Sequence, residues 1–114
     1  MKLDLREKEG VAILEIKSEL TSGGGDTILR EAVDTILASG RSHILLNLSQ
    51  LQSMDSAGVG ELVASYRMVE RFGGKLKILN APSKVKKSLT LAKLLPLFEI
   101  FDDEKEAVAS FSTE

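Results

Sequence analysis

The chain has 114 residues, of which 15 are Lys or Arg and 17 are Asp or Glu, for a formal net charge of −2. That length suits one domain, residues 1–114, with a real core, and the balanced charge gives no footing to nucleic acid as the main partner. The absence of cysteine excludes a disulfide framework and a thiolate metal site, and a single histidine excludes a His-rich one. No stretch approaches the roughly 20 apolar residues that span a bilayer, and the N-terminus lacks the apolar run of a secretory signal. The expectation is a cytoplasmic chain with no membrane insertion, no metal and no cofactor.

In chain order, residues 2–7 and 11–17 read as two strands of a hairpin, with Glu9-Gly10 as the turn. A polar run, Thr21-Ser22-Gly23-Gly24-Gly25, leads to Asp26 and then to Ile28, Leu29, Ala32, Val33, Ile36 and Leu37, an amphipathic helix closed by Gly40. His43-Ile44-Leu45-Leu46-Asn47-Leu48 reads as a buried strand. After it comes Met54-Asp55-Ser56-Ala57-Gly58-Val59-Gly60-Glu61, which opens a helix with Val59, Leu62, Val63, Tyr66 and Val69 on one face. Gly73-Gly74 ends that helix and Leu76 to Leu79 makes a strand, a βαβ unit whose crossover sets strands 43–48 and 76–79 parallel. Pro82-Ser83 starts a third helix carrying Val85, Leu89 and Ala92, broken at Leu94-Leu95-Pro96. Phe98 to Phe101 is a short strand, and Asp102-Asp103-Glu104 begins a last helix with Ala107, Val108 and Phe111. The order β-β-α-β-α-β-α-β-α predicts an α/β fold, a mixed sheet of four to five strands packed with four helices.

The corner at residues 54–61 is the chemically distinctive place. Asp55 or Ser56 caps the helix, and the free N–H groups and dipole of its first turn favour added negative charge there. Gly58 and Gly60 leave the corner uncrowded. Taken alone, Asp-Ser is an ordinary N-cap, and enzyme readings of the surroundings fail. Gly74-Lys75 lacks the first glycine and the hydroxyl of a phosphate loop, and Gly58-Val59-Gly60 meets Val63 where a dinucleotide fingerprint needs its third glycine. His43 enters the strand at the end away from Ser56, and Gly-x-Ser-x-Gly is absent around that serine. The residues form no catalytic constellation.

The segment from Ile44 to Leu48, then Leu51-Gln52-Ser53-Met54-Asp55-Ser56-Ala57-Gly58-Val59-Gly60, resembles the signature of STAS-domain anti-sigma factor antagonists. The likeness continues through Gly73-Gly74-Lys75-Leu76 and through Leu94 to Phe101. It implies a STAS-like fold and a regulatory binding module in place of an enzyme. It also implies that Ser56 is phosphorylated by a partner anti-sigma factor that is a serine kinase, and that a serine phosphatase reverses this. In such a system the unphosphorylated antagonist binds the anti-sigma factor and frees a sigma factor, and the phosphorylated form is released. Asp55, Ala57 and Gly58 would surround the phosphosite.

The sequence departs from that pattern at Ser18-Glu19-Leu20-Thr21, where the family usually has Gly-Glu-Leu-Asp, and at Ala57, where a second hydroxyl is common. Candidate partner-binding residues are Thr21, Ser22, Val59, Gly60, Lys84 and Lys87, the last two in a locally basic helix with Lys86 and Lys93. An alternative with the same fold is a STAS scaffold or accessory subunit of a lipid-transport or stress-sensing complex. A small hydrolase using Ser56 is the third and least supported reading. No exposed apolar stripe in the sequence demands a dimer.

Overall fold

Two kinds of apolar pattern decide the layers. The computed structural model describes residues 3–17, 19–22 and 26–112, without the side chains of 26 and 27. Strands β1 (Leu3–Lys8) and β2 (Val11–Ile16) form the expected hairpin, and its two-residue turn, Glu9 at φ 51° and Gly10 at φ 81°, has the left-handed backbone such loops need. The first is charged at Asp4, Arg6, Glu7 and Lys8 and is largely exposed, whereas the second is apolar on both faces. That difference makes β1 an edge and β2 an interior strand.

The rest of the main sheet is β4 (His43–Asn47), β6 (Lys75–Leu79) and β7 (Ile100–Phe101), in the order β1-β2-β4-β6-β7. β2, β4, β6 and β7 run parallel, and β1 alone is antiparallel to its neighbour. One sheet face presents Ala12, Leu14, Ile44, Leu46, Leu76 and Ile78 to a large core. Helices α1 (Asp26–Ala38), α2 (Ser56–Arg71) and α3 (Ser83–Leu91) bury Leu29, Leu62 and Leu89 in it. The other face presents Val11, Ile13, Leu45 and Leu79 to Ala107, Val108 and Phe111 of α4 (Glu104–Phe111). The expected mixed sheet with four helices is present, as is the parallel pairing of the strands at 43–48 and 76–79.

Several local expectations needed correction. A second, two-stranded parallel sheet joins β3 (Glu19–Leu20) to β5 (Ser53–Met54), and neither strand was expected because two residues are too few to show alternation. The strand expected at 98–101 shortens to Ile100–Phe101, since Pro96 sits in a 3-10 turn over Leu95–Leu97 and pairing starts only after it. Ala92, expected in the core, is the exposed C-cap of α3. The glycine loop at 23–25, the first residue of the expected 2–7 strand and Ser18 lie outside the described residues.

Lys77 lies within the apolar run of β6 and is 1% exposed. Its Nζ donates to Ser110 Oγ at 2.9 Å, sits 4.6 Å from the Phe111 ring centre and lies 3.4 Å from a Glu99 carboxylate oxygen. These partners answer the charge where burial alone would penalise it.

Gly74, between α2 and β6, allows a close crossing. A Cβ there would lie 2.1 Å from the Ser42 carbonyl oxygen, which accepts the Lys75 N–H at 2.9 Å. Gly74→Ala must therefore push two backbone segments apart. The expected outcome is a loss of about 1–3 kcal/mol, read as a lower midpoint in urea with little change in slope.

Candidate functional site

The chain leaves β4 through buried Leu48, whose N–H donates to the Leu79 carbonyl, and turns where Leu51 N–H reaches back to the Leu48 carbonyl at 3.1 Å. Pairing of Leu20 with Met54 then brings the segment after β3 alongside the start of α2. Asp55 follows in extended conformation and is the N-cap. Its Oδ1 accepts from Gly58 N–H and its Oδ2 from Ser22 N–H, each at 3.0 Å. These backbone bonds, Ser22's first and then Gly58's, hold the Asp55 carboxyl below its ordinary pKa.

With Asp55 as cap, Ser56 is the first residue of α2 and is exposed. Ala57 is half-buried behind it. Gly58 is buried, and a Cβ on it would lie 2.0 Å from the Leu20 carbonyl oxygen and 2.7 Å from Met54 Cγ. The need for glycine comes from the neighbouring β3 backbone and not from the helix's own first turn. Gly60 differs. A Cβ there would meet nothing within 4 Å, so the expectation that both glycines relieve crowding holds only for Gly58.

A groove of about 560 Å³ opens beside Ser56, between the start of α2 and the end of α3. Met54, Ser56, Val59 and Gly60 line one side; Ser88, Leu91 and Ala92 line the other. Leu91 is 77% exposed. Of the other residues singled out above, Thr21 and Ser22 stand at the same corner through the β3–β5 pairing and the Ser22–Asp55 bond. Lys84 donates its ammonium to the Gln52 carbonyl, which fastens α3 to the segment before β5. Lys87 is exposed one turn further along α3.

Ser88, Leu91 and Ala92 were not expected at the site. A usable signal existed for Leu91, which falls at helical spacing with Lys84, Lys87 and Ser88, off the core face set by Val85 and Leu89. Behind the site, Arg30 of α1 pairs with the buried carboxylate of Glu61, its Nε donating at 3.1 Å, and so ties α1 to α2. Among the described residues, no cluster of three or more His, Asp or Glu is arranged to hold a metal ion, and no helix is long and apolar enough to cross a membrane.

The sequence profile of the STAS domain matches residues 2–107. The chain belongs to the STAS domain family. An anti-sigma F factor antagonist of Paenibacillus polymyxa is 26% identical over 108 residues, 95% of this chain and 92% of that protein. The crystal structure of TM1081 from Thermotoga maritima superposes with a TM-score of 0.87 at 25% identity, covering 96% of this chain and 94% of that one. SpoIIAA, an anti-sigma factor antagonist solved in its unphosphorylated form, shares the fold with a TM-score of 0.71 at 22% identity, covering 99% of this chain and 100% of that one. The resemblance read from the 44–60 signature thus extends over nearly the full STAS fold.

Two measurements test this description of the corner. Gly58→Ala should destabilise by about 1–3 kcal/mol, whereas Gly60→Ala, at an open helical position, should stabilise by about 0.5–1 kcal/mol. A Gly58→Ala variant that melts at or above the wild type would contradict the assigned close approach. Because folding depresses the Asp55 pKa, its ionised carboxylate stabilises the fold above the ordinary value of about 4, and that contribution is lost as pH falls through the folded value. Melts of wild type and Asp55→Asn should therefore differ most near neutral pH and converge as the pH falls below the ordinary carboxylate range.

Proposed function

We propose that this chain is an anti-sigma factor antagonist whose partner binding is switched off by phosphorylation of Ser56. The observation that carries the reading is an exposed serine hydroxyl on the rim of an apolar groove, at the first residue of a helix whose cap is already a carboxylate. The Paenibacillus relative's name supports the antagonist role. SpoIIAA, solved in a phosphorylated as well as an unphosphorylated form, supports a phosphorylation switch on this fold.

In this reading the unmodified face, with Met54, Val59 and Gly60 on one side and Leu91 on the other, receives the anti-sigma factor. Thr21 and Ser22, pinned to the corner by Asp55, contact the same partner, and Lys87 attracts an acidic patch on it. Lys84 instead shapes the wall by holding the Gln52 carbonyl. The partner is a serine kinase that transfers a phosphoryl group to Ser56, and a serine phosphatase removes it. Such partners place the chain in the cytoplasm, acting as a single domain.

Phosphorylation replaces a small neutral hydroxyl with roughly two negative charges and three acceptor oxygens. The helix dipole favours the added charge, but Asp55 has already taken the Gly58 N–H and stands beside it with its own charge. The fold therefore tolerates the phosphate without enclosing it. Against a docked partner, an unmatched charge costs on the order of 2 to 5 kcal/mol, which weakens binding roughly 30-fold to several thousandfold.

The test begins with peptide mass analysis of protein taken from its native cells, with a phosphoryl group expected on Ser56. Ser56→Ala should keep the native fold and hold its anti-sigma partner even in the presence of active kinase. Ser56→Asp should bind more weakly, by about tenfold or more, as a single carboxylate mimics only part of a phosphate. Equal affinity of Ser56→Asp and wild type would place the serine outside the interface and overturn the switch.

A further inference from the structure

The outer edge of β1 is unpaired by any described segment. Its turn is a two-residue loop, so the flanking pair, Lys8 and Val11, is a hydrogen-bonded one. Bonded and non-bonded pairs alternate in an antiparallel ladder, so Arg6–Ile13 and Asp4–Glu15 also bond inward. Leu3, Leu5 and Glu7 then direct their N–H and C=O groups outward. The side chains alternate as well. Arg6 and Lys8 reach Glu104 on the α4 side, whereas Leu3 packs on the large core and Glu7 pairs with Arg41. Between them, on that same face, Leu5 is 52% exposed.

We propose that two copies of this chain join edge to edge through β1, antiparallel about a twofold axis at Leu5. Only registers that set odd positions opposite odd positions can use the outward backbone groups. With Leu5 opposite Leu5, the exposed leucines cover each other, Leu3 faces Glu7 of the second copy, and on the other face each Asp4 meets Arg6 of the second copy. Moving the register by two, so that Leu5 faces Glu7, puts Arg6 against Arg6 and leaves Leu5 without an apolar partner. Charged edges ordinarily guard a sheet against pairing. On β1 the signs oppose that shifted register and favour the one centred on Leu5.

A single pair of six-residue strands makes a small interface, so the dimer is weak, with a dissociation constant on the order of 10 μM to 1 mM. β1 lends no residue to the groove beside Ser56, so both grooves stay open and the pair presents two binding faces to a multivalent partner. This inference is independent of whether Ser56 is phosphorylated.

Sedimentation equilibrium on the full chain, from about 10 μM to about 1 mM, reads the association. Asp4→Arg sets Arg against Arg6 of the second copy, and Arg6→Asp sets Asp against Asp4. Each variant alone should stay monomeric and folded, melting somewhat lower because Asp4 also pairs with Lys17 and Arg6 with Glu104, while an equimolar mixture, in which both contacts become oppositely charged, should recover the dimer. In amide NMR spectra of the wild type, the Leu3, Leu5 and Glu7 N–H signals should move with concentration, with smaller changes at Asp4 and Arg6. A wild type that is monomeric at about 1 mM overturns the proposal. So does a dimer that Asp4→Arg leaves intact, or one whose concentration-dependent amides lie off β1.

Discussion

The Asp55 carboxylate holds two chain segments in one place, and the geometry around Ser56 depends on it. One oxygen closes the first turn of α2 through Gly58, and the other fixes the segment after β3 through Ser22. The two bonds require the Leu20 carbonyl to run close against Gly58, and the hydrogen at the glycine Cα leaves room for it. The two-residue pairing of β3 with β5 completes the junction. Helix start, neighbouring strand and serine thus form one unit whose shape is set before any partner arrives, which reduces the ordering cost of binding.

Legibility from sequence followed the length over which a pattern repeats. α1 and α2 could be read from apolar spacing, β2 and β4 from nearly continuous apolar runs, and β6 from Leu76 to Leu79 after the Gly73-Gly74 stop, because each buries several residues in register. β3 and β5 could not be read, since Leu20 and Met54 give no periodicity of their own and pair only because tertiary structure brings them together. Lys77 was legible as a strand residue but not as a buried cation, because Ser110 and Phe111, which answer its charge, lie on a helix more than 30 positions away. At the site, the identity of the capping oxygen was left open between Asp55 and Ser56. The structure gives the cap to Asp55, whose Oδ1 takes the Gly58 N–H, while its Oδ2 takes the Ser22 N–H, a donor from another segment that no local pattern announces.

The groove became visible only when α3 was placed. On the sequence, Leu91 falls at helical spacing with Lys84, Lys87 and Ser88, and nothing local says what that face meets. In the fold, the core-facing positions Val85 and Leu89 turn Leu91 outward, toward the start of α2. One exposed leucine on a surface is unremarked by itself. Its place opposite Val59 and Ser56 gives it meaning, since the same short distance that offers a partner an apolar anchor exposes that anchor to whatever stands on Ser56.

The magnitudes make that juxtaposition suited to control. Covering a leucine side chain contributes about 1.5–3 kcal/mol, and leaving an unmatched charge at an interface costs about 2–5 kcal/mol. The two are of the same order and opposite sign, so one phosphoryl group at Ser56 can offset the apolar anchor beside it without disturbing the core. A larger apolar face would bind through the modification, and a smaller one would not bind without it. Under the proposed function, the modest size of the groove is what keeps the switch responsive in both directions.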